Sequence, residues 1–322
     1  MSNKKNYFSN KNILITGITG FVGSHLAKKL SILDANVFGL SKRATGKQMV
    51  KASILDYSII DGVIKNNNIT ICFHLAGEAL VEEGQKDPYH TFKVNIEGTL
   101  NILECSRINK LEKVIIASTS HVYGNNKVPY LEKYIPKPSR PYETSKTCTD
   151  LIAQSYADTF NLPVLIPRFV NIFGPGDLNF TRLIPRTMRN IIQKENPTMW
   201  SGVAVRDYLY IDDAISAYTK LAESDINKID GNRIFNFGGD NIISVKDLIE
   251  KIIFISGEYT FCKKAYKVVV FPDPVGPVTK IRPFGLLISF CTISKRYFSI
   301  PNSSNPIWIV FGSSILITID SP

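Results

Sequence analysis

Residues 12 to 16, NILIT, are a short apolar run that gives way at once to Gly17, Gly20 and Gly23, after which HLAKKLSIL repeats apolar residues at helical spacing. Strand, tight turn and helix in that order strongly narrow the possible folds. The first glycine permits the turn, the second lets a pyrophosphate approach the backbone, and the third allows close packing of helix on strand. A helix N-terminus carries about half a positive charge, so it favours a phosphate without help from any side chain. Gly17, Gly20, Phe21, Val22 and Gly23 are therefore expected to cradle a dinucleotide.

The rhythm set by this unit continues. NVFGL at 36 to 40 reads as a second strand, an amphipathic segment follows near 56 to 65, and ITICFHLAG at 69 to 77 is a third apolar run. A helix is predicted from about Pro88 to Asn109, a buried-type strand at 113 to 119, a helix from Tyr142 to about Phe160, and a strand at 163 to 169. Strands without polar alternation, separated by helices, imply a parallel sheet covered on both faces. The expected fold is α/β, a doubly wound, Rossmann-like parallel sheet with a smaller and incomplete C-terminal substrate lobe.

Three regions are expected. Residues 1–170 form the dinucleotide-binding domain with the reactive residues, and 171–261 form a substrate lobe interleaved with the sheet. In that lobe a helix is predicted near 182 to 194 and strands near 205 to 211 and 233 to 237. Residues 262–322 form an atypical tail, where Pro, Ser, Ile, Val and Phe dominate and the only acids are Asp273 and Asp320. Tyr297 to Ile319 carries no charge, but Pro301 and Pro306 interrupt it, so irregular or strand-like packing is expected rather than a membrane span.

The net charge of +10 splits evenly: the first 260 of the 322 residues hold +5 and the remainder +5. That is mild for the longer part, and no Lys/Arg run is interleaved with aromatics, which argues against nucleic acid. Five widely spaced cysteines without a Cys-x-x-Cys pair, and four scattered histidines, indicate neither a disulfide framework nor a metal site. The polar start MSNKKNYFSNKN lacks the apolar core of a secretory signal, so a cytoplasmic protein is expected.

Tyr142-Glu143-Thr144-Ser145-Lys146 puts a phenol and an ammonium four residues apart, on one face of a helix. A tyrosine of ordinary pKa near 10 is a poor base, but a nearby cation stabilises its phenolate. Such a phenolate can remove a sugar hydroxyl proton while the carbon-bound hydrogen passes to a nicotinamide. The helix follows a strand ending in Ser118-Thr119-Ser120, where ligands bind in open α/β sheets, and Thr119 can orient the reacting hydroxyl. At the end of the second strand, Leu40-Ser41-Lys42-Arg43 has no carboxylate for the adenosine ribose. Lys42 and Arg43 read equally as partners of a 2′-phosphate, selecting NADP, or as solvated surface cations.

TGITGFVG, HLAG at 74 to 77, VNIEGT at 94 to 99, STSHVYG at 118 to 124, YETSK and RFVNIFGPG at 168 to 176 together resemble the extended short-chain dehydrogenase/reductase family, specifically its nucleotide-sugar epimerases and dehydratases. The similarity covers roughly residues 10 to 255. The stretch from Ser145 to Arg186 is most similar to the CDP-glucose 4,6-dehydratase branch, whereas LSKR is more like the NADP-using GDP-mannose dehydratases. The resemblance implies Tyr142 as base, Lys146 as its partner and ribose anchor, and Thr119 as ligand of the substrate hydroxyl. It implies that Asn95 supports the lysine through water, that Leu75 and Ala76 line the NAD or NADP site, and that Asn171 and Arg206 contact a sugar nucleotide. For Arg206 a salt bridge to Asp207 or Asp212 is the other reading.

Two departures bear on the reaction. Dehydratases of this kind carry acids directly after the threonine, and here Ser120 and His121 stand there, as substrate contacts. A histidine can serve as an acid near neutral pH, which is one reading of His121, while a supporting role is its other reading. C4 epimerisation needs no additional acid, so the residues point to an epimerase first and a 4,6-dehydratase second. Ser53 replaces the acid that relatives place near adenine, which shifts recognition to Ile54 and backbone groups. Relatives end in a serine-led helix and a further helix, and neither is legible after about residue 262; a non-catalytic dinucleotide-binding protein with a damaged C-terminal lobe is therefore the reading from another class. Many relatives pair as homodimers through two helices, here segments 88 to 109 and 142 to 160.

Overall fold

The computed structural model describes residues 6–199, 202–226, 232–239 and 242–256, with short strand segments beyond. The chain runs β1 (Asn12–Thr16), α1 (Phe21–Ile32), β2 (Asn36–Ser41), β3 (Met49–Lys51), α2 (Tyr57–Asn66), β4 (Ile71–His74), α3 (Val81–Lys86), α4 (Pro88–Phe92), α5 (Gly98–Ile108), β5 (Lys113–Ile116), β6 (Ser118–Thr119), α6 (Pro141–Phe160) and β7 (Val164–Phe169). It continues through β8 (Asn171–Phe173), α7 (Leu183–Ile192), β9 (Thr198–Met199), β10 (Val205–Arg206), β11 (Tyr208–Tyr210), α8 (Ile211–Glu223), β12 (Ile234–Phe237), β13 (Ile243–Ser244) and α9 (Val245–Ser256).

The main sheet has the order β12-β7-β5-β4-β1-β2-β3, with β6 also pairing β7, and every pairing is parallel. Side chains alternate across a strand, and the core divides accordingly. Leu14, Cys72, Val114, Ile116, Val164 and Ile166 face one way, into a cluster with Ile60, Ile64, Ile102 and Ala153 from α2, α5 and α6. Ile13, Ile15, Ile71, Phe73 and Ile115 face the other way, against Leu26 and Leu30 of α1 and Ala214, Ile215 and Tyr218 of α8. Both faces are dry, which is why the strands read as continuous apolar runs. The doubly wound sheet expected from the sequence is present.

Several elements depart from the sequence reading. The predicted helix from 88 to 109 is α4 and α5 joined by a π-helical turn, Lys93–Glu97, and the predicted strand 113 to 119 breaks at Ala117 into β5 and β6. The strand expected at 205 to 211 is two short pieces, and α8 begins at Ile211 with Asp212 and Asp213 in its first turn, where acids favour a helix. β3 and α3 are too short to show a period of their own. A serine-led helix does exist, earlier than the region where it was sought: the Asp247 N–H donates to Ser244 Oγ (3.0 Å) at the start of α9.

The chain divides into two compact units, one formed by 1–173 with 207–242, the other by 174–206 with residues from 243 onward. The expected boundaries at 170 and 261 are thus replaced by a chain that leaves the first unit and returns to it, because β12 adds to the sheet edge beside β7. In the second unit α7 and α9 share a small core of Met188, Ile191, Met199, Ile249, Ile252 and Ile253, and β10 pairs antiparallel with β13. Most of the expected tail, 262–322, lies outside the described residues.

Candidate active site

At the end of β1 the chain turns through Gly17 at φ +73°, a conformation that suits glycine. A Cβ on Gly17 would lie 2.9 Å from the Ala76 nitrogen, and one on Gly23 only 2.3 Å from the Gly17 carbonyl oxygen. The turn is held by the Gly17 N–H donating to Leu40 O (2.8 Å) and by the Ala76 N–H donating to Thr16 Oγ1 (3.2 Å). Behind it lies His74, wholly enclosed: its Nδ1 is 2.8 Å from Thr16 Oγ1 and its Nε2 is 3.1 Å from Thr99 Oγ1. Burial, with the nearby Lys146 charge, pulls this histidine down to about 3, so it is a neutral strut. No side chain caps α1 at Gly20. A backbone cradle closed to any Cβ, next to an uncapped helix start, fits the pyrophosphate of a dinucleotide.

The other expected cofactor residues are distributed unevenly around this turn. Leu75 and Ala76 abut it at the end of β4, with Phe21 and Val22 opening α1. Ser41 Oγ lies 2.9 Å from Thr19 Oγ1 and accepts the Arg43 N–H (3.2 Å), so the end of β2 is tied to the glycine turn. Lys42 and Arg43 are exposed, and among the described residues neither is in an ion pair. The register of β3 places Lys51 opposite Ser41, adding a third cation that the sequence reading had not connected. The Ile54 side chain is buried in the core beneath Gly98, and its carbonyl accepts from Asn101 (3.1 Å).

α6 carries both Tyr142 and Lys146. Pro141 opens the helix with its φ already set, and the Glu143 carboxylate accepts the Ser139 N–H (3.1 Å) and Arg140 N–H (3.3 Å) through Oε2. Its Oε1 faces His121 Nδ1 at 3.6 Å. Burial works to raise the Glu143 carboxyl, but the His121 and Ser139 hydrogen bonds, with the His121 and Arg140 charges, outweigh it and hold it at about 2. Tyr142 is buried in the first turn, with the His121 ring 6.2 Å away edge-on and Gly84 of α3 packed against its backbone.

One turn later Lys146 reaches the C-terminal end of β5, where its Nζ donates to Ala117 O (2.8 Å). Burial brings the ammonium down to about 8, against the opposing pull of the Asp150 carboxylate. Thr119, two residues beyond that carbonyl, is buried in β6 and its Oγ1 accepts the His121 N–H (3.3 Å). Lys146, Thr119 and His121 are thus gathered at one end of the sheet, with Ser120 opening the short 3-10 turn Ser120–Tyr123.

Asn95 lies in the π-helical turn. Its Nδ2 donates to Ser145 Oγ (2.8 Å) and Glu78 O (3.0 Å), and its Oδ1 accepts the Glu78 N–H (2.7 Å). It clamps a loop to α6 at the residue before Lys146. Asn171 spends its amide on Asp207 O (3.2 Å), bridging β8 and β11, whose strands pair in parallel. Arg206 belongs to the second unit, is exposed, and donates to Val205 O (2.9 Å). Among the described residues no three His, Cys, Asp or Glu side chains could hold a metal, and no helix is long and apolar enough to cross a membrane.

The sequence reading gave no role to Thr16, Glu143, Asp150 and Arg168, while His74 at its strand end is the structural residue it was read to be. Of the four, only Arg168 carried a visible signal, a lone charge inside an apolar strand; the others show their partners only in the folded chain.

The fold and the glycine turn are those of the doubly wound α/β class of dinucleotide-binding proteins. The chain belongs to the NAD dependent epimerase/dehydratase family, whose model matches residues 13–238. It is 34% identical over 285 residues to a dTDP-D-glucose 4,6-dehydratase of Dictyostelium discoideum, a match covering 80% of this chain and 64% of that protein. It is 31% identical to a UDP-N-acetyl-alpha-D-glucosaminuronate decarboxylase of Bacillus cytotoxicus, covering 75% of this chain and 79% of the relative. Among solved structures, a UDP-glucose 4-epimerase of Thermotoga maritima with UDP-glucose superposes with a TM-score of 0.74 at 28% identity, covering 82% and 87% of the two chains.

Proposed function

We propose that the protein is a nucleotide-sugar 4-epimerase that works by transient oxidation at C4 of a nucleoside-diphosphate hexose. The observation that carries this reading is the gathering of Tyr142, Lys146 and Thr119 at the strand ends beside a glycine cradle that excludes any Cβ. Gly17, Gly20, Phe21, Val22, Gly23, Leu75 and Ala76 would hold the dinucleotide, with Ser41, Lys42 and Arg43 at its adenosine ribose. When bound, that group accepts hydrogen from C4 with its electron pair and gives it back. Thr119 orients the C4 hydroxyl, and the Tyr142 phenolate removes its proton. Lys146 lowers the cost of that phenolate and, on the protein side, is fixed by Ala117 O. The same phenol returns the proton once the keto sugar has presented its other face.

Lys42, Arg43 and Lys51 put three cations and no carboxylate beside Ser41 at the ribose end, an arrangement that accepts the 2′-phosphate of NADP as well as NAD. Asn171 and Arg206 remain the candidates for contact with the sugar nucleotide. Tyr89, Leu100, Leu151 and Phe160 leave apolar surface exposed on α4, α5 and α6, which supports a homodimer through these helices. Cys72, Cys105 and Cys148 are free thiols, in keeping with a reducing cytoplasm.

A second reading is favoured by the His121–Glu143 contact. A histidine beside a buried carboxylate can donate the proton that a departing C6 hydroxyl needs, which would make the protein a 4,6-dehydratase. Incubation with NAD or NADP and a panel of UDP-, dTDP-, CDP- and GDP-hexoses, followed by NMR, separates the two. A C4 epimer supports the first and a 4-keto-6-deoxy sugar the second. Binding of the dinucleotide without turnover of any sugar overturns both and leaves a non-catalytic binding protein.

A further inference from the structure

Beneath the reactive turn of α6 lies an ion pair that the chemistry above does not use. Asp150 and Arg168 are 0% and 1% exposed. Arg168 donates to Asp150 through Nε (2.8 Å) and Nη2 (2.9 Å), and its Nη1 donates to Tyr123 Oη (2.8 Å), with the guanidinium over the same ring at 4.8 Å. Tyr123 Oη in turn donates to Asn236 Oδ1 (2.8 Å). Asp150 also accepts from Ser118 Oγ (2.8 Å) and Gln154 Nε2 (2.7 Å), so every oxygen of the carboxylate is occupied.

Burying two charges is costly, and well-packed apolar side chains of similar volume often serve stability as well or better. The pair's position suggests what else it does. Asp150 is one helical turn beyond Lys146, so the two side chains share a face. Lys146 holds Ala117 O, Asp150 holds the very next residue, Ser118, and Thr119 follows. Arg168 fixes the third side, since β7 pairs Ser118 with Arg168 and Thr119 with Phe169. Two consecutive hydrogen bonds therefore staple α6 to the strand end that presents the substrate-hydroxyl ligand.

We propose that Asp150, locked by Arg168, is the positioning residue of this site: it fixes α6 against Ser118 and thereby sets where the Lys146 side chain stands against Ala117 O. This rests on the reading of Lys146 as the partner of Tyr142. Among the described residues, the groups beside Lys146 are Asp150 from its own helix, with Arg168 of β7 behind it, the Ala117 carbonyl from the strand end, and His74 from β4. Ala117 accepts a hydrogen bond and His74 is neutral, which leaves Asp150 as the nearby anion that opposes desolvation.

Competitive acetylation with acetic anhydride across about pH 6 to 10, read by mass spectrometry of the Lys146 peptide, reports the ionisation of this lysine without any substrate. In the full-length wild-type chain Lys146 is expected to titrate at about 8. Asp150→Asn should lower that value by at least half a unit, roughly a threefold change in the ionisation constant. The neutral pair Asp150→Asn with Arg168→Gln, which keeps hydrogen-bonding groups and leaves no lone buried charge, should give a fall in the same direction but smaller, because the opposing guanidinium charge leaves with the carboxylate. A folded variant in which Lys146 titrates as in the wild type overturns the proposal. So does failure of both variants to fold, since the pair would then be structural alone. The reading of the reaction fails separately, if Lys146→Met turns over substrate as well as the wild type.

Discussion

The glycine turn and the strand end that carries Thr119 lie in the same unit, yet they are built by opposite means. The turn is made of backbone and of missing side chains: Gly17 and Gly23 are defined by the space a Cβ would take from Ala76 and from Gly17 itself. The strand end is made of side chains that hold one another, Lys146 on Ala117, Asp150 on Ser118, Glu143 on the start of α6 and towards His121. A backbone cradle fails wholesale when an atom is added. A side-chain network fails by degrees, with each group removable and each loss specific, so substitution should divide the two regions by kind of defect as well as by size.

The largest effect should come from the reactive pair. Tyr142→Phe is expected to lower turnover by about 10²- to 10⁴-fold, the usual contribution of a positioned proton carrier, while dinucleotide binding followed by fluorescence stays near the wild-type value. The wild-type rate should also fall as pH rises through about 8, because deprotonating Lys146 removes the cation that favours the Tyr142 phenolate. A turnover-pH profile still rising at pH 9 would count against that role.

Gly23→Val attacks the other region. Its Cβ would stand 2.3 Å from the Gly17 carbonyl, so the turn must open, at a cost of about 1–3 kcal/mol seen as a lower melting temperature, together with loss of dinucleotide binding. Retained binding by this variant would break the contrast between the regions.

Arg43→Ala should weaken NADP binding by roughly 10- to 100-fold, the equivalent of one charge-assisted hydrogen bond of about 1.5–3 kcal/mol, and leave NAD binding unchanged. Equal loss for both nucleotides, measured by calorimetry, would return Arg43 to the status of a surface cation.

The smallest effect belongs to Glu143→Gln, about 1 kcal/mol of stability at neutral pH for a weakened cap. Its sign with pH is fixed. The folded-state carboxyl sits at about 2, below its ordinary 4.5, so its contribution is full above that ordinary value and disappears as pH falls towards 2. The melting-temperature gap between wild type and variant should close over that interval.

The sequence displayed the regular parts of this molecule because their physics is local. An apolar run followed by three spaced glycines can be read without knowing what packs on it, and so can the Tyr142–Lys146 spacing on α6. The short elements were hidden: β3 has three residues and α3 six, too few for a period to emerge. The helix break at Lys93–Glu97 was hidden too, although it carries Asn95 to Ser145. The burial of Ile54 was hidden for a related reason. Whether an apolar side chain beside a binding loop meets ligand or core depends on the helix behind it, here on Gly98.

By itself, then, the chain's order of residues determined the alternation of strand and helix, the cradle at Gly17, Gly20 and Gly23, and the choice of Tyr142 and Lys146 as a pair. Tertiary structure alone decided that Asp150 would meet Arg168 and Ser118, that His121 would face Glu143, and that Lys51 would stand beside Ser41. Periodicity and turn chemistry act between neighbours along the chain, whereas a buried charge finds its partner only when strands and helices distant in sequence have closed around it and excluded water.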